Sequence, residues 1–104
     1  MDQAKASAIA DRLVARFSHE VIPSGPPESL YLRPLIHLAK SIAHEELAGE
    51  AVSAEAKIVV RATCDNLDRI LAERTARVDE PIIGTPEAAS LLRAAVAGRG
   101  LSPA

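Results

Sequence analysis

The stretch from Ser53 to Val78, SAEAKIVVRATCDNLDRILAERTARV, constrains this chain more than any other. It contains neither proline nor glycine, and its apolar residues recur with a helical period. At about 100° per residue, Ala56, Val59, Val60, Thr63, Cys64, Leu67, Ile70, Leu71 and Val78 share one broad arc. The opposite arc carries Arg61, Asp65, Arg69, Glu73 and Arg77, which alternate in sign at every fourth residue. Pairs at that spacing stabilise a helix by a few tenths of a kcal/mol each. One long helix over 54–78 is the prediction, and the remaining segments must cover its apolar side.

A chain of 104 residues has room for one domain and one core. Its residues are 48% hydrophobic and 25% charged, the balance of a globular protein. Phe17 and Tyr31 are the only aromatics, so the expected core is built of Ala, Val, Leu and Ile. Twelve basic residues stand against fourteen acidic ones, and no basic block occurs. Nucleic-acid binding by counterion release therefore has no source, and no nucleic-acid partner is expected. Cys64 is the only cysteine, which rules out an internal disulfide and a cysteine-based zinc cage. The opening MDQAKASAIADRL lacks the apolar core of a signal peptide, and no apolar run is long enough to span a bilayer. The expectation is a cytoplasmic protein without a membrane partner.

Taken in order, the first helix spans about 2–21, with Ala6, Ile9, Ala10, Leu13, Val14, Phe17 and Val21 on one side. Asp2 sits where the helix dipole favours a carboxylate. Pro23 stops this helix, and PSGPPES from Pro23 to Ser29 is a loop. The second helix starts near Leu32 rather than at Ser29, because Pro34 would otherwise break a hydrogen bond one turn inside. It runs over about 32–48, buries Leu35, Ile36, Ala39, Ile42, Ala43 and Leu47, and ends with Gly49 in a left-handed cap. Pro81 and Gly84 then separate the third helix from a fourth at about 86–97. Thr85 is its expected N-cap, and Ala88, Leu91, Leu92, Ala95 and Val96 are its apolar set. The predicted fold is an all-α four-helix bundle with no β-sheet, a single domain over 1–104 with a frayed tail after about 98.

The most specific local pattern is a polar stripe on the second helix. Arg33, His37, Lys40 and His44 are spaced +4, +7 and +11 and are expected to project away from the Leu35/Ile36/Ile42 face. Such a strip can meet an acidic partner or a phosphate, and it is also what any solvated helix face requires. Within it, HLAKSIA from His37 to Ala43 resembles the core motif of histidine phosphotransfer domains, which are four-helix bundles. The resemblance implies that His37 accepts a phosphoryl group and that Lys40 neutralises its charge. The family usually has glycine where Ser41 stands, and Pro34 one turn ahead of His37 also departs from its pattern.

Other chemistry finds less support. His37 and His44 lie two turns apart, about 10 Å along a helix axis, too far to share one ion. His44-Glu45-Glu46 begins like a zincin helix, but position 48 is alanine. No metal or other cofactor is expected. Cys64 lies among Asp65 and Asp68, which disfavour a thiolate, and reads as a small buried hydrophobe. No catalytic constellation or small-molecule substrate site emerges. The leading expectation is therefore a non-catalytic helical module that regulates or binds another protein, or itself as a homodimer. A third helix of about 25 residues would be roughly 37 Å long, more than the short fourth helix can cover. Apolar surface near Leu71 and Val78 is the expected oligomer contact. A phosphotransfer domain using His37 and an accessory subunit of an enzyme complex are the alternatives.

Overall fold

The structure, a computed structural model, describes residues 2–22, 30–49, 52–77 and 81–97. The Pro23–Ser29 loop, Val78 and the tail expected to fray after about 98 lie outside the described residues.

Four helices account for the fold: α1 (Gln3–Arg16), α2 (Leu32–Glu45), α3 (Ala54–Thr75) and α4 (Thr85–Ala95). Their buried faces are those the helical period marks out. Ile9, Ala10 and Leu13 of α1 meet Leu35, Ile36, Ala39, Ile42 and Ala43 of α2 in one core. Ala56, Val59, Val60, Thr63, Cys64 and Leu67 of α3 and Ala88, Leu91, Leu92 and Ala95 of α4 complete it. Helix α3 packs against each of the other three. No helix among the described residues is long and apolar enough to cross a membrane.

The helix starts follow local chemistry. Asp2 caps α1 by accepting from the N–H groups of Ala4 and Lys5 at 3.0 and 3.3 Å. The Asp2 N–H in turn donates to Glu55 at 3.0 Å, which ties the start of α1 to the first turn of α3. Ser53 caps α3 by accepting from Ala56 N–H at 3.1 Å. Pro34 is the third residue of α2, where the backbone nitrogen has no partner within the helix, so the ring removes no bond.

Several expectations need correction. The first helix does not stay α-helical to residue 21: Phe17–Val21 widens into a π-helical turn, closed by Ile22 N–H to the Phe17 carbonyl at 3.1 Å. The Ser18 hydroxyl donates to the Val14 carbonyl at 3.1 Å, a local competition with the helical ladder that favours such distortion. Helix α2 ends at Glu45 in tight turns, with Leu47 N–H on the His44 carbonyl at 2.9 Å, and Gly49 is not left-handed. The N-cap of α4 is Gly84 rather than Thr85, so the helix starts one residue earlier. The charge ladder on α3 is exposed, but among the described residues no ion pair joins its successive members.

The bundle also contains a small antiparallel β bridge, against the expectation of none. Strands β1 (Leu30–Tyr31) and β2 (Ile82–Ile83) pair Leu30 with Ile83 and Tyr31 with Ile82. Leu32 N–H extends the pairing to the Pro81 carbonyl at 3.1 Å. One pair turns inward, with Ile83 buried, while Tyr31 and Ile82 stay out in solvent.

Candidate functional site: an apolar groove beside α2

The β bridge and the π turn flank the N-terminal half of α2, and the three together form a shallow groove of about 280 Å³. Val21 comes from the π turn, Leu30 and Tyr31 from β1, and Pro34, Leu35 and Leu38 from α2. The α2 contribution follows from its period: Pro34 and Leu38 are one turn apart on the edge of the buried face. Tyr31 is 56% exposed and Leu38 44%, and Ile82, paired with Tyr31, is 56% exposed. Among the described residues only one other large hydrophobic is comparably exposed, Ile58 on α3. Three of these four therefore belong to the groove or to the residue paired at its rim. A contiguous apolar surface of this kind marks a contact site more often than scattered exposed side chains do.

The π turn is held in place by Arg16, the last residue of α1. Its Nε and Nη2 donate to both carboxylate oxygens of Glu20 at 2.6 and 3.1 Å. Nη2 also donates to Glu45 at 2.6 Å, and Nη1 to the Ile42 carbonyl at 3.3 Å and to Glu46 at 3.5 Å. Arg12 meets the same Glu46 at 2.9 Å. The fork of hydrogen bonds on Arg16 raises its guanidinium pKa and holds the Glu20 carboxyl below the usual range.

The stripe on α2 is only partly the open cationic strip expected of it. Arg33 and His37 are exposed. Lys40 instead reaches across to α3, where Nζ donates to Asp68 Oδ1 at 2.7 Å, and this bond raises the lysine pKa. The cation that the phosphotransfer resemblance assigns to a phosphorylated His37 is thus engaged elsewhere. His44 also leans toward α3, with its Nε2 3.8 Å from the Cys64 sulfur. Burial pushes the Cys64 thiol up, and the nearby lysine only partly offsets it, so the thiol stays protonated at neutral pH. Among the described residues no three His, Cys, Asp or Glu side chains converge as metal ligands.

Leu71, an expected oligomer contact, is half-buried and packs against the chain's own core; Val78 lies outside the described residues. Sequence reasoning missed the groove and the Arg16 cluster. Two signals were present: the Arg16/Glu20 spacing of four, and the placement of the chain's one tyrosine three residues before Pro34. Comparison with protein-family models, curated proteins and solved structures finds no match to this chain.

Proposed function

We propose that this chain is a small, non-catalytic helical module that docks a protein partner through the groove at Tyr31 and Leu38. The observation that carries this reading is the gathering of Tyr31, Leu38 and Ile82, all large and exposed, in and beside one concavity. Aromatic anchors in apolar pockets supply a disproportionate share of binding energy at protein interfaces. Tyr31 combines a broad apolar ring with a hydroxyl that can stay hydrated, which suits such an anchor.

Capture from the native host, with identification of the bound protein, tests this reading. Wild-type chain should retain a partner that Tyr31→Ser/Leu38→Glu loses, while Ile58→Ser on α3, outside the groove lining, keeps it. Equal capture by all three chains would end the proposal. Sedimentation of the purified chain distinguishes a second copy as the occupant: association abolished by the groove variant would identify it.

The exposure of His37 supports a second reading, phosphoryl acceptance by that imidazole. Incubation with a phosphorylated receiver domain should then label wild type and leave His37→Gln unlabelled. An unlabelled wild-type chain removes this alternative.

A further inference from the structure

We propose that Arg16 is the positioning residue of the groove: its ion pairs hold the π-turn wall in place against the α2 wall. The functional weight of this inference rests on the docking reading above, whereas the geometry stands by itself.

One wall contributes Val21, the last residue of the π turn; the other contributes Pro34, Leu35 and Leu38 of α2. Arg16 bonds to both elements. Toward the first it grips Glu20, the residue before Val21, through two hydrogen bonds. Toward the second it grips Glu45, Glu46 and the Ile42 carbonyl, which lies one turn beyond Leu38. A guanidinium has five N–H donors in a rigid fork, and Arg16 makes five such bonds.

The wall that Arg16 holds is also the one that needs holding. Hydrogen bonds in a π turn close over i→i+5, a geometry that rarely persists and recurs at functional sites. Here the turn ends the helix, and Ile22 beyond it is already extended. Without the tether, Val21 is retained by its own burial and by the backbone hydrogen bonds of the turn. Arg12 provides an internal contrast: it is more exposed, and among the described residues its ion pair is with Glu46 and not with the π turn.

Arg16→Met keeps the aliphatic stem and removes the fork; Arg16→Lys keeps the charge and loses the bidentate grip. Two readouts on the full chain separate positioning from general stability. The first is amide hydrogen exchange at Val21 and Ile22 compared with Val60 and Leu67 in α3. The second is acrylamide quenching of Tyr31, which is the sole tyrosine in a chain without tryptophan.

Arg16→Met should speed exchange at Val21 and Ile22 by about tenfold, leave α3 within about twofold, and make Tyr31 more readily quenched. Arg16→Lys should recover part of the protection, and Arg12→Met should change neither readout. Should Arg16→Met fail to fold, Glu20→Ala removes the π-turn arm alone and must give the same local pattern. Unchanged protection at Val21 and Ile22, or acceleration of α3 by the same factor, would overturn the proposal. Failure to capture a partner would sink the docking reading while leaving these local effects in place, so the two failures are distinguishable.

Discussion

Lys40 on α2 donates a 2.7 Å charge-assisted hydrogen bond to Asp68 on α3, so a residue at the margin of the polar stripe is a rivet between two helices. An exposed pair of this kind contributes about 0.2–1 kcal/mol. Charge reversal in Lys40→Glu should therefore destabilise by about 1 kcal/mol, since it sets a carboxylate against Asp68. The double variant Lys40→Glu/Asp68→Lys should recover most of that loss in chemical denaturation. Additive losses in the double variant would show that the pair is not coupled. The sign with pH follows from the raised lysine pKa. The contribution is present below the ordinary lysine value and is lost only as alkaline pH passes the folded-state value.

Leu67 is fully buried at the centre of α3. Leu67→Ala should cost about 2–5 kcal/mol, the range for emptying such a site. A loss below about 0.5 kcal/mol, typical of surface substitutions, would mean that the α3 face does not form the core.

Two α3 side chains finish α4. Asn66 Nδ2 donates to the Ala95 carbonyl at 3.1 Å, and Thr63 Oγ1 accepts from Ala97 N–H at 3.3 Å while donating to the Val59 carbonyl at 2.8 Å. These bonds satisfy backbone groups left over at a helix end. Asn66→Ala should cost about 1 kcal/mol. Amide exchange should rise selectively in the last turn of α4; a uniform rise, or none, would contradict this capping role.

Glu20 supplies an acid-side prediction. Arg16 holds its carboxyl below the usual range, so its stabilisation is present above the ordinary glutamate value and lost as pH falls through the folded-state value. Wild type should be more stable than Glu20→Gln at neutral pH, and the gap should close in acid. Denaturation midpoints that keep a constant gap down to pH ~2 would sink the assignment.

The helices and their buried faces were legible because burial imposes a period near 3.6 on side chains such as Val59, Val60, Thr63 and Leu67. Position 34 was equally readable, since proline is tolerated in the first turn and broken bonds would follow anywhere later. The groove was not legible. It depends on Tyr31 meeting Ile82 across a bridge of two-residue strands, and so short a strand carries no alternation to detect. Arg16 and Glu20 declare their pairing by spacing, but Glu45 and Glu46 join only after α1 and α2 pack. Lys40 marks a different limit: a long flexible side chain at the edge of a helix face can turn to solvent or to a neighbour, and the period is blind to the choice. Leu71 lies on the predicted apolar arc, yet the core reaches far enough along α3 to half-cover it.

The docking claim is tested most directly by titrating the captured partner onto the isotopically labelled full chain and mapping the perturbed resonances. Perturbations concentrated at Val21, Leu30, Tyr31, Leu35 and Leu38, and absent from the Tyr31→Ser/Leu38→Glu variant, are the predicted result. Perturbations centred instead on Leu71 or on the Arg33–His37 surface, with the groove silent, would contradict it.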